Sequence, residues 1–319
     1  MSILVSMIQN HDLFKAFLNL YWLRPENAAT SYFQSQTWLD INISKYKKTL
    51  DIAGGDGCYI FLHLGGRFDD RFDFFTKTNA SNFKHSKFID IYNVSSNNFF
   101  PKIKKKSKLS FNTVTDWKSG LLDKAKKLKI YKKFILHDNN KLPLPFYDEE
   151  YDFVHSNAVY WTSNSKDLIK DISRVTKKNG TVVMEVATNN ILGAIKKNKI
   201  FLGNKLFDIL DRKRSIEMKM LKATHSDWSA WMKNAGFVIE DIRVAWPNNF
   251  ISDSWDYGIT RPVSHLLINM TKKLSEKERV EIKREWVQIF YDILVPFCEK
   301  PKKFSLQKAP YITYILRKK

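Results

Sequence analysis

The sequence predicts an open α/β fold with a largely parallel, doubly wound sheet. A short apolar run, Thr49–Ile52, ends in a glycine-dense turn, Ala53–Gly57, and a helical pattern follows. Further apolar runs recur, each closed by polar residues: Asp116, the cluster His137–Asn139, and His155–Asn157. Amphipathic helical segments separate these runs, and that alternation is the signature of repeated βαβ units.

Residues 8–45 read as helical, because Leu13, Phe14, Phe17, Leu18 and Tyr21 recur at helical spacing. Arg24-Pro25-Glu26 breaks the first helix, and a second begins near Asn27 and runs towards Trp38. Thr49–Ile52 reads as a buried strand, and Cys58–Leu64 as the start of a helix that ends near Gly65-Gly66. Glycines between them let the backbone turn tightly and approach a ligand, while the helix N-terminus offers unpaired N–H groups. Residues 67–109 read as an insertion, rich in Phe, Asp, Asn and Lys and without sustained periodicity. Such a stretch is a lid, a binding loop or a disordered segment; Phe72, Phe74, Phe75, Phe99 and Phe100 predict that it packs at least partly.

Leu109–Asp116 is the second strand, Leu121–Tyr131 a basic amphipathic helix, and Phe134–Asn139 the third strand. Lys141–Phe146 turns into strand four, Tyr151–Asn157 with its exit loop. A helix over Asp167–Val175, a turn over Lys177–Gly180 and strand five, Thr181–Val186, follow. Residues 187–224 read as helical and basic, Trp228–Ala235 as a helix closed by Gly236, and Phe237–Ala245 as strand six. Residues 247–309 form a second insertion with helices over Ser264–Lys272 and Lys277–Pro296, and Tyr311–Leu316 alternates as a terminal strand.

At 319 residues, with 44% hydrophobic and 14% aromatic residues, the chain is long and apolar enough for one large domain or two. Its two cysteines, Cys58 and Cys298, make neither a disulfide framework nor a metal-ligand cluster, so a reducing compartment and no metal are expected. Met1–Met7 is too short for a signal h-region, and no apolar run approaches the roughly 20 residues of a membrane helix, so a cytoplasmic location is expected. The net charge of +20 has two readings. It is either an electropositive surface for nucleic acid, anionic membrane or a phosphorylated substrate, or lysine scattered over solvated faces. The lysine-dense stretches Lys102–Lys108, Lys124–Lys133, Lys196–Lys199 and Lys300–Lys303 spread the charge and favour the second.

An acid at the end of the second strand, Asp116, can accept hydrogen bonds from both hydroxyls of a ribose; otherwise it is a helix N-cap. The spacing Asp51-x-Ala53-x-Gly55-x-Gly57 resembles motif I of the class I S-adenosylmethionine (SAM) methyltransferases, with Ala53 replacing the usual first glycine. The order LPLPFYDEEYDFVHSNAVYW followed by LIKDISRVTKKNGTVVMEV is closely similar to the second half of the SAM-binding core in small-molecule methyltransferases. The resemblance implies a Rossmann-like, seven-stranded methyltransferase sheet with a helical N-terminal arm and a helical insertion before the last, antiparallel strand. The arm would span 1–45, the core 46–246 with its insertion 67–109, the cap 247–309, and the final strand 310–319.

The resemblance further implies SAM as cofactor and S-adenosylhomocysteine as product. Asp51, Ala53 and the Gly55–Gly57 turn would hold the methionine moiety, Asp116 with Trp117 the ribose, and Asp138 with Asn139 the adenine. Ser156 and Asn157 would line the methyl-transfer face. A hydroxyl acceptor needs a base, and His155, at a strand C-terminus beside the cofactor, is the first choice; His137, His225 and His265 have weaker grounds. An amine entering neutral needs little base catalysis. Arg24, Tyr160, Trp255, Tyr257 and Arg261, with Trp22 and Trp246, are candidates to wall and anchor the acceptor.

After strand four stands Ser156-Asn157-Ala158-Val159, not Asn/Asp-Pro-Pro-Tyr/Phe, which argues against amino-methylation of DNA bases. The cysteine positions argue against RNA cytosine-5 and arsenic methylation. The His155-Ser156-Asn157 style resembles enzymes acting on small molecules, lipids or sugars, and with Trp255–Pro262 and the helical tail it looks like a bacterial group associated with surface polysaccharide biosynthesis. The expected activity is methyl transfer to a hydroxyl or amine of a small molecule or glycan intermediate (EC 2.1.1.-). An RNA methyltransferase and a non-catalytic binding protein of the same fold are the alternatives. The sequence leaves oligomeric state open.

Overall fold

A computed structural model of the chain describes residues 3–4, 10–76, 96–191, 200, 203–205, 221–245, 267–268, 270–298 and 303–319. The strands are β1 (Ile3–Leu4), β2 (Thr49–Ile52), β3 (Arg67–Phe68), β4 (Ile103–Lys105), β5 (Phe111–Asp116), β6 (Tyr131–Leu136), β7 (Tyr151–Ser156), β8 (Thr176–Ala187), β9 (Phe237–Val244), β10 (Lys303–Phe304) and β11 (Tyr311–Lys318). The helices are α1 (His11–Leu20), α2 (Pro25–Gln36), α3 (Cys58–His63), α4 (Ser119–Leu128), α5 (Ser165–Val175), α6 (His225–Asn234) and α7 (Glu276–Cys298).

Seven strands form the central sheet in the order β6-β5-β2-β7-β8-β11-β9, and two separate pairs, β1 with β10 and β3 with β4, lie outside it. The first five strands of that order are parallel, and β11 runs antiparallel to both β8 and β9. The chain leaves β2, builds outward to β5 and β6, then crosses back to place β7 on the other side of β2. The carboxyl ends of β2 and β7 therefore mark the topological switch point, where open α/β sheets hold their ligands.

Side-chain alternation divides the core into two layers. Leu50, Ile52, Val154, Val182, Met184 and Val186 face the side covered by α5 and α6, where Ile169, Ile172, Trp228 and Met232 pack. Val114, Phe153, Val183 and Ala187 face the other side, against Phe14, Phe17, Trp22, Phe33, Trp38 and Phe61 of the N-terminal helices and α3. Asp51 pairs in register with His155, and His155 with Val183. Asp51, His155 and Glu185 thus point into the second layer, beneath the N-terminal helices.

Local chemistry sets the boundaries. Asn10 caps α1 by accepting from the Leu13 N–H, and Asn164 caps α5 by accepting from the Asp167 N–H. Thr224 and Asp227 form a reciprocal capping box at α6. Pro25 starts α2, so that helix opens two residues earlier than its sequence suggests. The expected helix over Leu121–Tyr131 is instead Ser119–Leu128: Lys129 turns to φ 57°, and Tyr131 opens β6, which ends at Leu136 before the polar cluster. The expected turn at Lys177–Gly180 lies within β8, with Asn179 at φ 61° and a register break that lets Tyr151 face Thr176 while Phe153 faces Thr181.

The described parts of 67–109 pack as their phenylalanines predict. Phe68, Phe72, Phe74, Phe75 and Phe99 are buried together, whereas Phe100 is exposed. Asp73 accepts from the Trp22 Nε1–H at 3.0 Å and pairs with Arg279 of α7; Lys283 of α7 donates to the carbonyls of Asp70 and Phe72.

Candidate active site

The Ala53–Gly57 turn connects β2 to α3 and is tied to the end of β5. Ala53 N–H donates to Thr115 Oγ1 at 3.1 Å, Gly54 N–H to Thr115 O at 3.0 Å, and Gly55 N–H to Asp116 Oδ2 at 3.2 Å. Gly55 has φ 61° with open space where a side chain would stand, which leaves its backbone approachable. Gly54 is required for another reason: a Cβ there would lie against Asp51 Oδ2 and 2.7 Å from Val114 Cγ2.

Ala53 stands at φ 57°, a left-handed conformation that costs an L-residue with a Cβ about 1–2 kcal/mol. Ala53→Gly should therefore raise stability by about 0.5–1 kcal/mol after the extra chain entropy of glycine is subtracted. Denaturant unfolding of the two proteins checks this; equal or lower stability of the variant would contradict it.

Asp116 is buried, and each carboxylate oxygen already accepts one backbone N–H, Oδ2 from Gly55 and Oδ1 from Lys118 at 2.8 Å. Burial raises its pKa, against those two hydrogen bonds. Each oxygen keeps acceptor capacity for a further donor. Trp117 beside it is 63% exposed, with Lys118 Nζ 5.0 Å from its ring. At the end of β6, Asp138 is solvated and accepts from Asn140 N–H and Nδ2, which hold its pKa low. His137 Nε2 and Asn139 Oδ1 are both buried without a hydrogen-bond partner. Two orphaned polar atoms flanking Asp138 are what a polar heterocycle would satisfy.

Asp51 is only 1% exposed, and both its oxygens are engaged: Oδ2 accepts from Tyr131 Oη at 2.5 Å, and Oδ1 lies 2.7 Å from His155 Nδ1. The opposite ring nitrogen, Nε2, is 3.3 Å from Glu185 Oε2. Glu185 Oε1 in turn accepts from Tyr59 Oη at 2.8 Å and Trp38 Nε1 at 3.2 Å. Burial alone would disfavour a charged imidazole, yet the bonds to Asp51 and Glu185 outweigh it and raise the His155 pKa to about 9. His155 is also 1% exposed. With both nitrogens committed to carboxylates it has no free lone pair for an acceptor's proton, so the expectation of a base at His155 is revised.

Ser156 is buried, its Oγ donating to Ile52 O at 3.2 Å and so joining the ends of β2 and β7. Asn157 and Tyr160 are half-buried just beyond, with Tyr160 5.2 Å from the exposed Trp161 ring. Arg24 is buried and ion-paired to the fully buried Glu26, so its charge is already matched inside the protein. Trp246, Trp255, Tyr257, Arg261 and His265 lie outside the described residues. His225 bonds Tyr314 Oη at 2.6 Å, away from the glycine turn. Among the described residues there is no cluster of His, Cys, Asp and Glu able to hold a metal. Sequence reasoning missed Glu185, Tyr131, Tyr59 and Trp38. The signal for Glu185 was a lone acid within the apolar run Thr181–Val186.

A family model described as a methyltransferase domain matches residues 102–184, which carry Asp116, Asp138 and His155. Residues 102–184 thus match the methyltransferase-domain family. That family takes SAM as its methyl donor. The matched segment begins downstream of the glycine turn and ends within β8, so β2 and its turn join this domain through sheet pairing. Among curated proteins none matches the chain.

The chain is similar to a solved SAM-dependent methyltransferase from Thermotoga maritima, described as a possible histamine N-methyltransferase. The two share 13% identity over 96% of this chain and 98% of that one, with a TM-score of 0.45. It is also similar to the YcgJ protein from Bacillus subtilis, at 12% identity over 91% and 98%, TM-score 0.42. The cyclase SpnF shares 12% identity over 92% and 82%, TM-score 0.43.

Proposed function

We propose that the chain transfers a methyl group from SAM to a hydroxyl or amine of a small molecule or of a sugar or glycan intermediate. The observation that carries this reading is the convergence, at the carboxyl ends of β2, β5 and β6, of an open glycine turn, a buried acid with spare acceptor capacity and two orphaned polar atoms. That set fits a nucleoside joined to an amino acid. When bound, SAM supplies a sulfonium-activated methyl for in-line displacement.

The chain's own residues then bind, orient and exclude water. Asp116 would accept from the ribose hydroxyls, and Trp117 offers an exposed aromatic face beside them. Asp138 and Asn139 would meet the adenine edge, and the Gly55–Gly57 backbone, above Asp51, the methionine moiety. Ser156 holds the β7 exit loop against β2, so Asn157 and Tyr160 line the face from which an acceptor enters. Alignment of the acceptor with the methyl is the largest lever available to such a site.

Calorimetric titration with S-adenosylhomocysteine tests this. The wild type should bind in the micromolar range and Asp116→Ala at least ten-fold more weakly, from loss of one or two hydrogen bonds to a charged acceptor. No binding by folded wild type would overturn the reading. Sugars, nucleotides and amines would then be screened with labelled SAM. The likeness to a surface-polysaccharide group favours sugars first, and a cytoplasmic setting is part of the same reading; among the described residues no helix is long and apolar enough to cross a membrane.

RNA as acceptor is a second reading, favoured by the exposed lysines Lys129, Lys132 and Lys133 at the β6 edge of the sheet and by the exposed Lys104, Lys105, Lys106 and Lys108 at and after β4. It requires tight RNA binding that weakens steeply with salt. Against it, Lys102, Lys126, Lys170 and Lys177 are all in ion pairs with neighbouring acids.

A further inference from the structure

We propose that Glu185, His155 and Asp51 form one positioning array, in which His155 is a fixed imidazolium and through which the N-terminal arm sets the carboxylate beneath the cofactor turn. This rests on the reading of the glycine turn as a cofactor site. The three side chains come from the adjacent strands β8, β7 and β2 and share one face of the sheet. All three are 1% exposed.

The proton count follows from the geometry. A neutral imidazole has one N–H and one lone pair, so of its two carboxylate contacts, at 2.7 and 3.3 Å, one would set lone pair against lone pair. The remaining oxygens already face donors, Tyr131 Oη on Asp51 and both Tyr59 Oη and Trp38 Nε1 on Glu185. A doubly protonated ring donates to both carboxylates and so satisfies both contacts. The aromatic shell agrees. Trp38 stacks on His155 at 4.7 Å, the geometry of an aromatic face on a cation, and Tyr59 lies near-parallel at 5.9 Å. His63 of α3 also stacks on Trp38, at 3.5 Å, and bonds Ser35 Oγ at 2.8 Å. Burial and the nearby His155 hold its pKa well down, so it stays neutral and adds no competing charge.

The array ends under the turn. Asp51 Oδ2 fills the space where a Cβ of Gly54 would stand, so the carboxylate is the floor on which that corner rests. Trp38, just past α2, and Tyr59, on α3, anchor the far end. A shift of the N-terminal arm would reach the turn through three hydrogen-bonded side chains.

The test uses the full chain labelled with ¹⁵N-histidine. In the wild type at pH 8 the His155 signals should be those of a doubly protonated ring. In Glu185→Gln the ring should titrate at least one pH unit lower. S-adenosylhomocysteine affinity should change less than two-fold between pH 6.5 and 8.5 in the wild type, but fall about ten-fold over that range in Glu185→Gln. Tyr59→Phe, which removes one hydroxyl and keeps the ring, should show the same trend at about three-fold and serves if the first variant does not fold. A neutral His155 in the wild type at pH 8, or variants whose affinity is as flat with pH as the wild type's, would overturn the array. If wild type binds no S-adenosylhomocysteine, the cofactor reading falls and the ring signals alone decide: a neutral ring overturns the array, a doubly protonated one supports it.

Discussion

Asp73→Ala is expected to destabilise the fold by about 3–5 kcal/mol, the cost of stripping one partner from a buried ion pair. Asp73 accepts from the Trp22 Nε1–H, from the Phe75 N–H at 2.8 Å and from two nitrogens of Arg279, while Arg279 is itself 7% exposed. Removing the carboxylate leaves the guanidinium buried with the Thr271 carbonyl and an indole face 5.6 Å away, neither of which neutralises it. The same residue joins three separate stretches: the N-terminal arm, the start of 67–109 and α7. The loss should therefore appear in global denaturant unfolding, not only as local fraying. Asp73→Asn, which keeps an acceptor without the charge, should recover part of it. A loss below 1 kcal/mol for the alanine variant would mean that the phenylalanine cluster, not the ion pair, holds these stretches together.

The second large effect is a fall in stability of about 2 kcal/mol between pH 6.5 and 8, from roughly 1.4 kcal/mol for each pH unit over which His155 stays charged only when folded. Its folded pKa of about 9 lies above the ordinary histidine value. The stabilisation is thus fully present below the unfolded pKa near 6.5 and is lost as pH rises through 9. Other groups act outside that window or against it. His63, His137 and His225 are depressed by burial, so they favour folding as pH rises towards 6.5 and are silent above it. Lys283, lowered to about 8 by burial, makes stability rise between pH 8 and its unfolded value near 10.5. Among the described residues, the interval from 6.5 to 8 therefore isolates His155. His155→Gln should be less stable at pH 6.5 and show a flat profile across that interval; a sloping profile in the variant would assign the effect elsewhere.

The order of strands and the identities at their ends were legible because they depend on local rules. Apolar runs of four to eight residues closed by Gly or Asp mark buried parallel strands whatever surrounds them. That alone located Asp51, the Ala53–Gly57 turn, Asp116 and Asp138, and it anticipated the terminal strand over Tyr311–Leu316. Errors gathered where a side chain's destination overrode local pattern. Tyr131 fits the helical period of its neighbours but leaves α4 because its hydroxyl reaches Asp51, 80 residues away. Lys177–Gly180 carries turn composition, yet β7 and Lys48 draw it into the sheet through Asp152, which accepts from Lys177 Nζ and the Lys48 N–H.

By itself, the sequence determined the α/β class, the glycine turn and the acids that ring it, since glycine's freedom and a carboxylate's acceptor capacity are properties of single residues. Only the tertiary structure decided what each polar group is paired with. His155 and Arg24 look alike in the sequence as groups free to act on a substrate. Folding commits His155 to Asp51 and Glu185, and Arg24 to Glu26. Whether a charge is spent or available depends on residues distant in the chain, because a buried ion must find its counter-charge wherever the sheet and helices bring one.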